Sequence, residues 1–300
     1  MITEPGRDEW SNLRELLAMA RAEDLGDRDI TGAMLPDDIL ASGTIVAREP
    51  LVLCGGVFLA EILAAYDAGM TVDVRADEGA RLVAEDAIAR IDGPACRVMA
   101  AERVALNFLQ RLSGIATLTS RYVSEIAGTA AEILDTRKTT PGWRALEKYA
   151  VRCGGGVNHR MGLYDSVLIK DNHLAVLAAA GVDDPIAALA SKFPAAEATV
   201  VAAGGFIEVE VDTLDQFDTA LPLGAHVIML DNMSPDLMRQ AVARREAAGL
   251  AGKVLLEASG GITLENLRQA AETGVERIAL GAITHSARAV DIALDIEVAG

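Results

Sequence analysis

The alternation of apolar and polar positions changes period along this chain. In residues 10–24, Leu13, Leu16, Leu17 and Ala20 fall on one stripe, which predicts a helix. An acidic, turn-rich segment follows, Glu23-Asp24-Leu25-Gly26-Asp27. Residues 42–48 and 51–54 read as short strands and residues 57–68 as a helix. Residues 70–76, with Val72 and Val74 alternating against polar neighbours, read as a half-buried strand. Residues 87–91 and 96–99 read as strands flanking the turn signal Asp92-Gly93-Pro94. The first hundred or so residues thus predict a small α/β domain with an antiparallel sheet. At residues 101–112 the period lengthens. Val104, Phe108 and Leu112, with Ala105 and Leu109, recur every fourth residue, as on a helix with one buried face. Ser113-Gly114 is expected to end that helix, with a domain boundary there.

Beyond this point short aliphatic runs alternate with loops and helices. Strands are expected at residues 132–134, 166–169, 206–211, 227–230, 254–257 and 277–280, with helices at 235–248 and 264–273 among the connections. Repeated strand–helix units of this kind argue for a parallel sheet. They suit an incomplete barrel as much as an open sheet. The expected division is 1–113 for the first domain and 114–285 for the second, with 286–300 packing back on the first.

Composition narrows the function classes. The chain has 300 residues, 51% hydrophobic and only 4% aromatic, an aliphatic interior that suits buried parallel strands. Its net charge of -17 disfavours nucleic acid and anionic membranes as partners. The three cysteines, Cys54, Cys96 and Cys153, are far apart in sequence and suggest neither a disulfide framework nor metal-ligand spacing, which points to a reducing cytoplasm. No signal-peptide pattern opens the chain, and no apolar run reaches the ~20 residues that a membrane helix needs.

The second half concentrates chemistry at strand ends. The expected strands are followed by, or contain, Arg137-Lys138, Lys170-Asp171, Glu208 and Glu210, Asp231-Asn232, Ser259-Gly260-Gly261, and Gly281. In α/β barrels the active site lies at the carboxyl ends of the strands, so these residues would ring one mouth. Any one of them alone reads as a solvated loop residue; six in register are harder to dismiss. Residues 135–171 carry seven basic against four acidic side chains, inside a chain of -17. Lys148 and Arg152 lie one turn apart near Glu147 and suggest an exposed helix face. Arg137, Lys138, Arg160 and Lys170 are the better site candidates. A cationic pocket on an acidic protein implies a small polyanionic ligand, and arginine suits carboxylates because it binds them bidentately. Ser259-Gly260-Gly261, followed by a helix expected to open at Thr263-Leu264-Glu265-Asn266, offers backbone N–H groups and a helix dipole to a phosphate. The bland alternative is a tight strand-to-helix turn. Gly154-Gly155-Gly156 lacks the strand of a dinucleotide fingerprint and reads as a loop. His159 gains weight from its neighbour Arg160, His226 reads as structural, and His173 and His285 stay open.

Several runs together resemble the quinolinate phosphoribosyltransferases. They are Asp135-Thr-Arg-Lys-Thr-Thr-Pro-Gly142, Leu146-Glu-Lys-Tyr-Ala-Val151, Gly154-Gly-Gly-Val-Asn-His-Arg-Met-Gly-Leu163 and Leu168-Ile-Lys-Asp-Asn-His173. Further matches are Glu208-Val-Glu-Val211, Met229-Leu-Asp-Asn232, Glu257-Ala-Ser-Gly-Gly-Ile262, Leu280-Gly-Ala-Ile-Thr-His-Ser286, and Glu23-Asp24-Leu25-Gly26-Asp27 with Asp29-Ile30-Thr31. The resemblance covers nearly the whole chain. It implies an N-terminal α/β sandwich and an open, incomplete α/β barrel of about six parallel strands. It implies phosphoribosyl transfer from phosphoribosyl pyrophosphate to quinolinate with decarboxylation, giving nicotinate mononucleotide for NAD biosynthesis. It also implies Mg2+, and a homodimer or a dimer-based hexamer in which Arg103 reaches a neighbour's site. Arg137, His159, Arg160 and Lys170 match residues that hold quinolinate. Lys138 and Lys170 match catalytic cations, and Glu210 and Asp231 match acids near the ribose and the metal. Ser259, Gly260, Gly261, Gly281 and His285 match the 5′-phosphate site. Trp143 departs from the pattern, standing where a smaller residue is expected.

Three readings compete: a related phosphoribosyltransferase acting on another carboxylated ring, an aldolase-type barrel with Lys170 as Schiff base, and a metabolite-binding protein without turnover. The intact Thr-Arg-Lys-Thr-Thr-Pro-Gly and Asn-His-Arg runs weigh against the first.

Overall fold

The structure, a computed structural model, describes residues 4–36 and 38–298. In chain order the first elements are α1 (Arg7–Leu25), β1 (Leu40–Ala47), β2 (Leu51–Val52), α2 (Leu59–Ala64), β3 (Thr71–Val74), β4 (Arg81–Leu82), β5 (Ala87–Pro94) and α3 (Ala95–Glu125). Then follow β6 (Glu132–Leu134), α4 (Arg144–Cys153), β7 (Val167–Ile169), α5 (Asp171–Ala179), α6 (Pro185–Ala190), α7 (Phe193–Ala202), β8 (Ile207–Val211) and α8 (Leu214–Ala220). The last are β9 (Val227–Asp231), α9 (Pro235–Ala247), β10 (Leu255–Ser259), α10 (Leu267–Ala271), β11 (Arg277–Ala279), α11 (Ala282–His285) and β12 (Ile292–Val298). The chain divides into two compact units. One comprises Met1–Arg121, Lys138–Gly156 and Ala282–Gly300; the other comprises Tyr122–Arg137 and Val157–Gly281.

The first unit is built on a four-stranded antiparallel sheet of order β12-β1-β5-β3, with β2 and β4 paired apart from it. The C-terminal strand β12 runs along β1 from Ala41↔Val298 to Ala47↔Ile292. The expected hairpin at Asp92-Gly93-Pro94 is absent. The strand β5 continues through it, with Leu40↔Pro94 still in register, and the chain passes directly into α3. Asp92 does not turn the chain because its carboxylate accepts a hydrogen bond from the Ser42 hydroxyl on β1 and pairs with Arg90. Residues 96–99, expected as a strand, are the first turn of α3 instead, and Val98 joins its buried stripe.

Nor does Ser113-Gly114 end the helix, which runs on to Glu125. The pair serves packing within the helix. A Cβ on Gly114 would lie 2.0 Å from the Arg288 carbonyl oxygen, so glycine lets the C-terminal segment pass. Ser113 Oγ accepts from the Cys54 backbone N–H at 3.0 Å. The apolar period also carries on, through Ile115 and Ala116, both fully buried. The segment 144–153 is not the exposed face that its charges suggested. Glu147 and Lys148 are fully buried, and Glu147 pairs with Arg111 at 2.7 Å. Trp143 stacks on Phe108 with ring centroids 5.0 Å apart, which accounts for the large residue there.

The second unit is a six-stranded parallel sheet of order β6-β11-β10-β9-β8-β7. Read around, the strands follow chain order 6 to 11 in a circle, with β6 pairing β11 and the gap left between β6 and β7. That is an open barrel, which decides between the two architectures that the alternation allowed. The strand β8 shows why it forms. Ile207, Val209 and Val211 alternate with Glu208 and Glu210, and all five are buried. In a barrel the apolar set faces the helices and the acidic set faces the interior. The helix α7 (Phe193–Ala202) is an alanine-rich stretch for which the sequence predicts no element. Among the described residues no helix is long and apolar enough to cross a membrane.

Candidate active site

The register aligns the strand ends of the second unit. Ser259 at the end of β10 pairs with Asp231 at the end of β9, and Glu210 on β8 pairs with Met229. Lys170 directly follows β7, and its Nζ contacts Glu210 Oε2. Arg137 follows β6, and Gly281 lies two residues past β11. Thus Arg137, Lys170, Glu210, Asp231, Ser259, Gly260, Gly261 and Gly281 all sit at the carboxyl ends of barrel strands, where barrel chemistry is placed.

Deeper in the barrel lies a network that joins His159 to buried acids. Val157 bridges to Leu134, which draws the segment after it alongside β6. Asp135 then fixes that segment, accepting from Asn158 Nδ2 at 2.6 Å and from the His159 N–H at 2.9 Å. His159 Nε2 lies 2.9 Å from Glu208 Oε2 and 3.4 Å from Glu257 Oε1. Glu257 Oε2 is held by Arg277 Nε at 2.7 Å. Phe206 lines the same place, edge-on to the His159 ring at 5.0 Å and beneath the Arg277 guanidinium at 4.9 Å.

Burial governs the protonation of this network. Glu208 is pushed up to about 7, first by burial and then by the neighbouring charge of Glu257. Burial also pushes Glu257 upward, but His159 and Arg277 outweigh it and hold it below the usual range. The Arg160 backbone N–H donates to His159 Nδ1 at 2.8 Å, which takes the lone pair of that nitrogen. The proton therefore sits on the Nε2–Glu208 side, and both ring nitrogens are engaged within the protein. Arg160 is itself buried, and its pKa is lowered by that burial and by nearby Arg137. Two neighbouring guanidiniums suit a dianion or a pair of carboxylates. At the mouth, Asp212 is raised by burial and by the charges of Asp231 and Asp171.

The loop after β10 is tightly built. Gly260 has φ +82°, and a Cβ there would lie 2.2 Å from Asn232 Oδ1. Asn232 is itself left-handed at φ 52°, donates to Asp231 Oδ2 at 2.6 Å, and through its N–H to the Ser259 carbonyl at 2.9 Å. The helix expected to open at Thr263 begins only at Leu267 and spans five residues. Residues 263–266 form a turn closed by Asn266, whose Oδ1 accepts from Thr263 N–H at 2.8 Å. So short a helix contributes little dipole, and the loop N–H groups carry the phosphate-binding potential instead.

The remaining sequence candidates belong to the first unit. Lys138 is exposed and follows Arg137 in the chain, Arg103 is exposed on α3, and His285 ends α11 with Nδ1 2.7 Å from Ser286 Oγ. Of the other histidines, His226 Nδ1 accepts from the Ile207 N–H at 2.9 Å and His173 Nδ1 from the Lys170 N–H at 2.9 Å, both structural roles. Sequence reasoning left Glu208 unassigned and missed Glu257 and Arg277. The available signal was a charged residue inside an apolar strand buried on both faces.

An open α/β barrel whose mouth gathers arginines, a lysine–glutamate pair, carboxylates and a glycine loop defines a protein that handles small polyanions by group transfer. The model of the quinolinate phosphoribosyl transferase C-terminal domain matches residues 115–295, and that of the N-terminal domain matches residues 29–113. The nicotinate-nucleotide pyrophosphorylase (carboxylating) of Mycobacterium leprae is 42% identical over 293 residues, covering 96% of this chain and 98% of that one. The mitochondrial quinolinate phosphoribosyltransferase (decarboxylating) 2b of Nicotiana tabacum is 38% identical over 298 residues, covering 95% of this chain and 82% of that one. The solved structure of the nicotinate-nucleotide pyrophosphorylase from Francisella tularensis superposes with a TM-score of 0.85 at 36% identity, covering 96% of each chain. The chain belongs to the quinolinate phosphoribosyltransferase family.

Proposed function

We propose that the chain transfers the phosphoribosyl group of phosphoribosyl pyrophosphate to quinolinate, with loss of pyrophosphate and CO₂, giving nicotinate mononucleotide. The observation that carries this reading is the neighbourhood of Arg160. Arg137 acts on it, and Lys170 Nζ at the same mouth meets Glu210 Oε2, so cations for carboxylates lie beside an acid for a sugar. Arg137 and Arg160 hold the two quinolinate carboxylates together with Lys170. His159, with both ring nitrogens engaged, positions Arg160 through its backbone N–H. Glu210 and Asp231 hold the ribose hydroxyls. The loop N–H groups at Ser259, Gly260 and Gly261, with Gly281, hold the 5′-phosphate, a role that the resemblance also gives to His285.

The carboxylates at the strand ends suit Mg2+, a hard cation that takes oxygen donors. Asp231 sits at the end of β9 beside Ser259, at the same mouth as Glu210, so a divalent cation would find oxygen donors there. Glu210 and Asp231 would hold the ion, partly through substrate, and it would neutralise charge on the pyrophosphate. Lys138 and Lys170 draw electron density toward the departing pyrophosphate. Ribose C1 becomes oxocarbenium-like, and Glu210 and Asp231 favour its positive charge. The pyridine nitrogen donates its lone pair to C1 as the C1–O bond to pyrophosphate breaks. The cationic ring then accepts the electron pair of the C2–carboxylate bond as CO₂ leaves, and C2 takes a proton. Most of the catalytic effect is positioning and electrostatics.

Arg103 is exposed on α3, its nearest carboxylate Glu102 at 3.9 Å, which supports its reaching the site of a second subunit in a homodimer or a dimer-based hexamer. The free thiols support a reducing, cytoplasmic location. Steady-state kinetics on Arg160→Ala and Lys138→Ala test the assignments. Each removes a charge-assisted contact of about 1.5–3 kcal/mol, and catalytic efficiency is expected to fall well over tenfold. Near-native values in either variant would remove that residue from the site. Mixing Arg103→Ala subunits with an inactive active-site variant tests the shared site, since complementation requires it.

A further inference from the structure

The first unit contains a second group of ligand-type side chains that phosphoribosyl transfer does not use. Cys54 lies just past β2, Glu78 lies between β3 and β4, and Cys153 ends α4. One ligand atom from each lies within 4.8 Å of the other two. Cys54 is fully buried and Cys153 is 4% exposed. Cys153 Sγ stands 3.6 Å from Glu78 Oε2.

The group is held in place before any ligand arrives. Glu78 accepts the N–H groups of Gly55 at 2.9 Å and Val57 at 3.0 Å. The Cys54 N–H is tied to Ser113 Oγ at 3.0 Å, and that hydroxyl in turn donates to the Cys54 carbonyl at 3.2 Å. A separate observation concerns Tyr149. Its hydroxyl is buried and makes no well-formed hydrogen bond; Cys153 approaches it, with Glu78 and Cys54 nearby. A buried hydroxyl so placed calls for an explanation, and a neighbouring thiolate made an acceptor by metal binding supplies one.

We infer that Cys54, Cys153 and Glu78 form a binding site for a thiophilic divalent cation of the zinc class, with the Tyr149 hydroxyl donating to a metal-bound thiolate. Zinc binds cysteine sulfur at about 2.3 Å and carboxylate oxygen at about 2.0–2.2 Å in tetrahedral geometry, which places ligand atoms under ~4 Å apart. The spacing here allows that with small side-chain shifts. Each thiol loses its proton to solvent as its metal–sulfur bond forms, and no oxidation is involved. Two thiolates and one carboxylate leave the site with one net negative charge. The N–H groups on Glu78 offset it, and the Arg152 guanidinium lies 5.2 Å from the centre of the Tyr149 ring. Sulfur ligands also discriminate against the hard cations that suit the carboxylates of the second unit.

The test uses full-length reduced protein stripped with a chelator and titrated with Co2+ and Zn2+. The expected result is one ion per chain, a thiolate-to-Co2+ charge-transfer band, and release of about two protons per ion. Cys54→Ala and Cys153→Ala lose the band, whereas Cys96→Ala keeps it. Glu78→Gln weakens the affinity at least tenfold in competition with a chromophoric chelator, a readout that serves if a cysteine variant does not fold. Absence of stoichiometric uptake by the wild-type chain, a band that survives Cys54→Ala, or a Cys54–Cys153 disulfide in freshly purified protein would each overturn the inference.

Discussion

Replacing Gly260 by alanine tests how the loop after β10 holds Asp231. Two penalties follow from the geometry. The residue sits at φ +82°, and an L side chain there costs roughly 1 kcal/mol. The new Cβ also lands 2.2 Å from Asn232 Oδ1 and 2.9 Å from the Asn232 backbone nitrogen, so rotation of the side chain alone does not relieve it. The end of β9 must shift, and the Asn232 bond to Asp231 at 2.6 Å is lost with it. Hydrogen bonds to charged groups contribute about 1.5–3 kcal/mol, and exposure of Asn232 brings this one to the lower end. The total destabilisation is about 2–4 kcal/mol. Gly261→Ala is the control. Its φ is +62° with no atom within 4 Å of the added Cβ, so it incurs only the backbone penalty of roughly 1 kcal/mol. Urea unfolding of both variants measures the difference. Kinetics should show a rise of at least tenfold in KM for phosphoribosyl pyrophosphate in Gly260→Ala, with a smaller change for quinolinate. Equal stability losses in the two variants would refute the role given to Asn232 and the close approach of the two loops.

Three further outcomes are expected. Arg277→Met strips buried Glu257 of its guanidinium and leaves only His159 beside it, which should cost about 3 kcal/mol by denaturant unfolding, and adding Glu257→Gln should restore part of it. Gly114→Ala drives a Cβ into the Arg288 carbonyl oxygen and should destabilise by several times the usual gain from a helical Gly→Ala change of about 1 kcal/mol, measured in the same way. Arg111→Met strips fully buried Glu147 of its partner, and should cost more stability than Arg288→Met, whose pair with Glu49 is 71% exposed on the arginine side.

Much of this architecture was legible from periodicity. The run Ile207-Glu-Val-Glu-Val211 alternates as a strand must, and polar residues recurring at the ends of aliphatic runs located the barrel mouth. Errors arose where a local signal competed with tertiary packing. Asp92-Gly93-Pro94 has the composition of a turn, yet a side-chain bond to Ser42 keeps it in the strand. Ser113-Gly114 looks like a helix stop, but a glycine needed for close approach of two backbone segments gives the same letters. Lys148 reads as a solvated helical charge and is fully buried. The site was legible where residues follow strands and hidden where they lie within them. Glu257 and Arg277 stand opposite each other on two apolar strands, and their pairing exists only once β10 and β11 are adjacent. The Cys54–Glu78–Cys153 group was invisible for the same reason, since its members are scattered over a hundred residues.

The most direct test of the central claim is product analysis after mixing the protein with quinolinate, phosphoribosyl pyrophosphate and Mg2+, with nicotinate supplied in parallel. The account predicts nicotinate mononucleotide, pyrophosphate and CO₂ in equal amounts from quinolinate, and no product from nicotinate. Absence of product from quinolinate, or equal use of nicotinate, would contradict the assignment of Arg137 and Arg160 to a pair of carboxylates.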